Sequence, residues 1–455
     1  MRAVSWKTFR RNELAMNVLV LMCDHHRFDA LGCMGNPLAN TPNLDKLAER
    51  SIQFENCYNQ SPVCAPARHS LATGRYAHAQ GVITNRHQPY PGMYTIAHSL
   101  KELGYRRFHL GHMHWTDPSM DNGYEPEITA AMWRETMPEG ALARYDWEAE
   151  PRTRRTTAGP SPRTREQHWG YHVASESVRQ IEEAVANGEN FLSWTSFTEP
   201  HPPFYPPKDI YEQIDQSAID LPEQRPGDSP APHDRILRMQ EEWAHLTEVE
   251  IRQVIAGYYG MVTLVDGYCG MVIDALDRLG VRDDTIVIWT ADHGDQQWEH
   301  ELFLKFNMRE ASVHVPLLID IPGQDRGSRS ELVEHIDLFP TICDLVGTDI
   351  PDSVQGRSLA PSIQTGTPEG EWRDAVFSQI GYMQMIRTET EKLNVYGGES
   401  GEYFNLEQDP KEFQNCVADP DCGDRVTELR ARMDRWYEET EVRGAEERVV
   451  AKSTA

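Results

Sequence analysis

Four short runs along the chain, Val18–Met22, Phe191–Phe197, Thr285–Thr290 and Val315–Ile321, are dense in apolar, β-branched and aromatic residues. Runs of this length and content fit strands covered on both faces. Stretches of helical periodicity lie between them. Thr41-Pro42-Asn43-Leu44-Asp45-Lys46-Leu47-Ala48 has a capping Thr, Pro at the first helical position and apolar residues at helical spacing. Ser175–Ala186 and Arg252–Leu279 keep the same period, and Gly280 stands where the second should stop. Strands and helices in alternation predict an α/β fold, a mostly parallel sheet flanked by helices. Ligands of such sheets bind at the carboxyl ends of the strands. Asp24 and Asp292-His293 each follow one of these strands directly, so their side chains should converge at one sheet edge.

Two regions break the alternation. Residues 118–170 are rich in Pro, Arg, Trp and acidic residues without a clear period, as expected of a long functional insertion or an unstructured loop. They hold a basic island, Arg152-Thr153-Arg154-Arg155 with Arg163 and Arg165, which reads as a solvated loop or as a lid or subunit contact. Residues 205–235 are punctuated by Pro206, Pro207, Pro222, Pro226, Pro230 and Pro232 and read as a surface excursion. Beyond about residue 365, Ala375–Ile386 and Lys392–Tyr396 look like strands of a meander. A turn at Asp419-Pro420 then leads into a charged helix, Arg425–Glu439. The division that follows is an N-terminal extension over 1–15, disordered on this reading, the main α/β domain over 16–365, and a small α+β C-terminal subdomain with a terminal helix and tail over 366–455.

The net charge of −27 opposes non-specific binding to nucleic acid or to an anionic membrane, because a polyanion is repelled on approach. No apolar run reaches the roughly 18 residues of a membrane-spanning helix. Val18–Met22 is too short for the core of an export signal. The eight cysteines are sparse for the chain length and read as reduced thiols in a cytoplasmic protein, with Cys416 and Cys422 close enough to raise a disulfide or a metal pair as an alternative.

The densest local signal is Cys64-Ala65-Pro66-Ala67-Arg68, continued by Leu71 and Thr73-Gly74-Arg75. This segment resembles the signature of the type I sulfatases, in which the cysteine of C-x-P-x-R is oxidised to formylglycine after translation. The resemblance runs over nearly the whole chain. Asp24-His25-His26-Arg27, Gly111-His112-Met113-His114, Pro200-His201-Pro202-Pro203-Phe204, Ala291-Asp292-His293-Gly294-Asp295 and Tyr403-Phe404-Asn405-Leu406 all resemble segments of that family in order, and Lys305 sits where its catalytic lysine is expected. It implies the fold of the alkaline phosphatase superfamily, whose phosphonate monoester hydrolases are related.

The resemblance also implies the chemistry. One divalent ion, Ca²⁺ or Mn²⁺, would be held by Asp24, the modified Cys64, Asp292 and His293. A formylglycine hydrate at residue 64 would attack a sulfate ester and pass through a covalent sulfo-enzyme intermediate. Arg68 would hold the hydrate, His201 and Lys305 would serve the departing alkoxide, and His114 would take the proton that releases sulfate. Maturation would need a formylglycine-generating enzyme, and a homo-oligomer is compatible with the chain.

Three positions depart from the family pattern. Most sulfatases have a second acidic residue at the place of His25, which either binds the metal through nitrogen, favouring Mn²⁺, or faces the substrate. His112 replaces a lysine that contacts the sulfate, so its charge would depend on pH. Asn85 matches an asparagine that contacts the transferred group in some members. Trp115, Trp298 and His300 lie beside these motifs as candidate pocket walls, whereas His78 reads as structural. Hydrolysis of a sulfate ester is the leading expectation, and a phosphonate monoester or phosphodiester hydrolase with the same nucleophile is the alternative. A phosphotransferase or mutase of the superfamily would need Ser or Thr at residue 64. A non-catalytic binding protein would follow only if Cys64 were never oxidised.

Overall fold

The structure, a computed structural model, describes residues 16–117, 119–128, 158–224, 234–324 and 326–442. The extension over 1–15 and the Arg152–Arg155 island lie outside the described residues.

Among the described residues the main sheet has nine strands: β1 (Asn17–Cys23), β2 (Ile52–Tyr58), β3 (Arg106–Gly111), β4 (Glu125–Ile128), β5 (Phe191–Ser196), β6 (Thr285–Ala291), β7 (His314–Val315), β8 (Leu317–Asp320) and β9 (Gly327–Glu334). Their order is β4-β3-β5-β1-β6-β8-β2-β7, with β9 paired to β2. From β4 to β6 every pairing is parallel, with β1 central between β5 and β6. β8 runs antiparallel to β6. Residues 292–316 do not cross over to the far end of the sheet; they loop back at the edge where β6 ends, and a strand entering there must run the other way. Pro316, which has no N–H to donate, divides the expected Val315–Ile321 run into β7 and β8.

β1 explains why the sheet is covered on both faces. Leu19, Leu21 and Cys23 enter the core beneath the long helices Trp169–Asn187 and Glu248–Leu279. Val18, Val20 and Met22 face the opposite core, with Leu71 of helix Cys64–Thr73 and Phe339 and Ile342 of helix Leu338–Val346. Strand side chains alternate between faces, so a run that is apolar throughout must be buried twice. Each such side chain contributes roughly 1.5–3 kcal/mol.

The meander resolves into an antiparallel sheet of β10 (Ala375–Ile380), β11 (Met383–Thr388), β12 (Glu391–Tyr396) and β13 (Glu399–Asn405), backed by helix Gly423–Val442. It is bound to the main sheet by buried charge. Lys392 Nζ donates to Glu310 at 2.7 Å and Glu412 at 2.8 Å, and Arg309 Nη2 donates to Glu402 at 2.7 Å. No disulfide is present, and Cys416 and Cys422 are both free thiols. Among the described residues no helix is long and apolar enough to cross a membrane.

Candidate active site

Asp24, His25, Cys64, Arg68, His112, His201, Asp292, His293 and Lys305 gather at the carboxyl end of β1, β5 and β6. Asp24 follows β1 and Asp292 follows β6, and both are fully buried. Gly294 keeps the turn after His293 tight: a Cβ there would lie 2.0 Å from the Ala311 carbonyl oxygen. Cys64 opens helix Cys64–Thr73, which brings the amino end of the helix to the same place. Its Sγ lies 3.0 Å from Lys305 Nζ, 3.3 Å from His293 Nε2 and 3.6 Å from Asp24 Oδ1.

The ligand atoms of Asp24, Cys64, Asp292 and His293 lie within 4.8 Å of one another. His293 has its Nδ1 3.0 Å from the Gly294 carbonyl oxygen, which turns Nε2 towards the carboxylates. Burial disfavours charge on both acids, but Arg68, His201 and Lys305 hold Asp24 well below the usual carboxylate range. Asp292 goes the other way: burial, unmatched by Arg68 and aggravated by the charge of Asp24, pushes it up to about 7. A buried acid pair that keeps one proton at neutral pH is short of positive charge, and a divalent cation supplies it. The donor set therefore fits a metal ion. A second group, Asp24, His25, Cys64 and His201, satisfies the same distance condition.

Arg68 lies between the two carboxylates. Its Nε donates to Asp292 Oδ2 at 2.8 Å and its Nη2 to Asp24 Oδ2 at 3.0 Å. Nη1 donates to the His112 carbonyl oxygen and, at 2.6 Å, to Ser196 Oγ. The guanidinium thus braces the two carboxylates. Burial and then the charge of Asp24 push the Cys64 thiol up to about 12, despite Lys305 and the helix end.

The histidines are held apart in role by their contacts. His112 is half-buried, with Nε2 3.8 Å from Asp24 Oδ2. Desolvation and Arg68 push it well below the ordinary histidine value, so it is neutral at physiological pH and offers a hydrogen bond instead of a charge. The His114 ring is 4.9 Å from that of His112. Among the described residues its Nδ1 is buried without a hydrogen-bond partner, and burial and Arg68 lower its pKa to about 4. Nδ1 of His201 is 2.7 Å from the Pro202 carbonyl oxygen, and its ring meets His25 edge-on at 4.5 Å. Asn85 contacts the residue after Cys64: its Oδ1 accepts from the Ala65 N–H at 3.0 Å, capping the helix.

The candidate pocket walls divide. Trp298 packs in the core against Phe303, and His300 lies against Phe413. Trp115 meets His69 edge-on at 5.0 Å, beside His114. His78 is structural, between Gln379 and Thr440. Three participants were not singled out: Ser196 on Arg68, Tyr258, whose hydroxyl donates to the His25 carbonyl oxygen at 2.9 Å, and Asp295, 2.7 Å from His25 Nδ1. Asp295 lies inside the Asp292-His293-Gly294-Asp295 motif and could have been found there; the other two are distant in sequence.

Residues 16–348 match the Sulfatase family, and residues 298–439 match the family described as N-sulphoglucosamine sulphohydrolase, C-terminal. The chain is 28% identical to an arylsulfatase of Clostridium perfringens, over 91% of this chain and 92% of that one. It is 28% identical to a choline-sulfatase of Rhizobium meliloti, over 89% and 83% respectively. Among solved structures it resembles a phosphonate monoester hydrolase from Silicibacter pomeroyi, with a TM-score of 0.81 and 25% identity over 93% of this chain and 96% of that one. The chain belongs to the sulfatase family of the alkaline phosphatase superfamily, a family of sulfuric ester hydrolases.

Proposed function

We propose that the protein hydrolyses the sulfate ester of a small molecule with a formylglycine derived from Cys64. The observation that carries this reading is the state of Cys64 itself. A nucleophilic cysteine works as thiolate, and this thiol, pushed up to about 12 beside Asp24, is protonated at neutral pH. Its place among Asp24, His293 and Lys305 suits an oxygen nucleophile, which oxidation by a formylglycine-generating enzyme would install.

When present, the hydrated aldehyde supplies the attacking oxygen, and a divalent ion on Asp24, residue 64, Asp292 and His293 supplies Lewis acidity. The chain's own residues do the rest. Arg68 keeps the two carboxylates in register. Lys305 Nζ, already 3.0 Å from Sγ, places a positive charge beside the reacting centre. His201 Nε2 delivers a proton to the departing oxygen. His114, neutral because burial holds it near 4, accepts the proton whose loss releases sulfate. His112 and the Asn85 amide would bind the transferred group.

A phosphonate monoester or phosphodiester hydrolase is the second reading. The observation that favours it is His25, a neutral residue where a second carboxylate would stand, together with the likeness to a phosphonate monoester hydrolase. A panel of aryl sulfate, phosphate monoester, phosphodiester and phosphonate substrates decides between them. The first reading requires the highest kcat/KM on the sulfate, and a higher value on a phosphonate or diester would overturn it.

We also place the protein in the cytoplasm, a reading supported by eight unpaired cysteines. The main domain over 16–365 and the subdomain over 366–455 remain the proposed division.

A further inference from the structure

The segment that carries Lys305 has an uncommon backbone. Between residues 297 and 306, Gln297, Trp298, His300, Glu301, Leu304 and Phe306 all have positive φ, from 43° to 76°. Non-glycine residues in this conformation cost roughly 1–3 kcal/mol each and persist only where surrounding contacts impose them. Asp295 supplies several of those contacts. Its Oδ1 accepts from the Gln297 N–H at 3.1 Å, from Gln297 Nε2 at 2.9 Å and from the Leu304 N–H at 3.0 Å. The last bond fixes the residue immediately before Lys305.

The other oxygen reaches the same lysine from the opposite side. Asp295 Oδ2 lies 2.7 Å from His25 Nδ1, and His25 Nε2 is in contact with Lys305 Nζ. An ionised Asp295 can only accept, so in that state Nδ1 would carry the ring hydrogen and Nε2 would present its lone pair. An ammonium has only donors, so this is the tautomer that can receive it. Lys305 directs a second N–H to Cys64 Sγ at 3.0 Å. His25 is itself fixed: its φ is 65°, its carbonyl oxygen accepts from Tyr258, and its ring is wedged edge-on between His201 and His293, 4.5 Å from each.

We propose that Asp295 is a positioning residue for the reaction. One oxygen sets the strained backbone that presents Lys305, and the other fixes the His25 tautomer that anchors the Lys305 ammonium against residue 64. The role rests on the sulfatase reading for its kinetic consequences but not for its geometry. Asp295→Asn keeps the shape and one acceptor oxygen. It places an NH₂ donor against His25 Nδ1, the ring hydrogen moves to Nε2, and the ammonium loses its acceptor.

The test has a kinetic arm and a spectroscopic arm on full-length protein. Asp295→Asn and His25→Leu should each lower kcat for an alkyl sulfate about 100-fold, the lower end of a general-acid contribution, with KM changed less than about twofold. Nitrophenyl sulfate, whose leaving group needs little help, should lose less than about fivefold. His25→Gln can donate to Asp295 and accept from Lys305, so it should keep most alkyl sulfate turnover. This pair leaves the Asp295 grip on the loop intact and remains decisive if Asp295→Asn does not fold. In ¹⁵N spectra of histidine-labelled, metal-free protein, His25 should be the Nδ1–H tautomer in wild type and the Nε2–H tautomer in Asp295→Asn. Equal losses on both esters, His25→Gln as damaged as His25→Leu, or an Nε2–H tautomer in wild type would each overturn the proposal. If wild type hydrolyses neither ester, the sulfatase reading falls, and the tautomer comparison alone decides the role of Asp295.

Discussion

Replacing Arg68 by Met tests the electrostatic design of the site. Methionine matches much of the length of the side chain and removes only the guanidinium. Arg68 is fully buried and ties Asp24, Asp292, the His112 carbonyl and Ser196 together. Removing one partner of a buried ion pair costs about 3–5 kcal/mol, because the remaining charge is left without compensation. Unfolding entropy of about 2.1 cal/mol/K per residue makes 1 kcal/mol worth about 1 °C in a chain of this length. The melting temperature in chelator should therefore fall by about 3–5 °C. The loss must depend on pH with a defined sign. Without Arg68, the folded-state pKa of Asp292 rises further above its unfolded value, and Asp24 loses the first of the cations that hold its own pKa down. A raised acid favours the folded state fully only below its unfolded pKa and loses that contribution as pH rises, while a depressed acid adds stability above its unfolded pKa, a gain the variant forgoes. The gap between variant and wild type should widen from about pH 5 to about pH 8. Divalent metal at 100 times its Kd should return about 2.7 kcal/mol, most of the deficit. The assay is a thermal melt of both proteins, with chelator and with Mn²⁺, across that range. A variant with the wild-type midpoint in chelator, or a deficit that shrinks as pH rises, would refute the charge balance described for this site.

Other outcomes follow from the same contacts. In metal-free wild type, Asp292 is raised to about 7, so its contribution to stability is complete below the unfolded value near 4 and is lost as pH rises through 7. The stabilisation that Mn²⁺ adds, measured by paired melts with and without chelator, should accordingly grow over that window. Asp292→Asn should lower metal content, read by elemental analysis, together with kcat. His25→Gln should leave one ion per chain and an unchanged Mn²⁺ to Ca²⁺ preference in calorimetry. A reversed preference would put His25 on the metal instead of on Lys305. His114→Ala should spare the first transfer and slow product release, so that protein about 80 Da heavier, by one sulfuryl group, builds up under burst conditions. The absence of that species would reassign His114.

The central strands were legible because β1, β5 and β6 are buried on both faces, and burial on both sides leaves little room for polar alternation. The converging acids were legible for a related reason: Asp24 and Asp292 follow parallel neighbours directly, so their position needs no knowledge of loops. What Arg68 does could not be read from Cys64-Ala65-Pro66-Ala67-Arg68, because its partners come from residues 24, 112, 196 and 292. The same holds for His112, where burial and Arg68 decide the charge, and for Trp298, whose motif neighbours suggested a pocket while Phe303 holds it in the core. The left-handed run that carries Lys305 contains no glycine between Gln297 and Phe306, so no local signal announces it.

The most direct test is the mass of the peptide containing residue 64, measured across preparations of graded specific activity. Conversion of Cys64 to formylglycine removes about 18 Da and leaves an aldehyde that reacts with hydrazides. Sulfatase activity should rise in proportion to the converted fraction and vanish in Cys64→Ala. A fully active preparation in which residue 64 is an unmodified thiol would contradict the assignment of Cys64 as the precursor of the nucleophile.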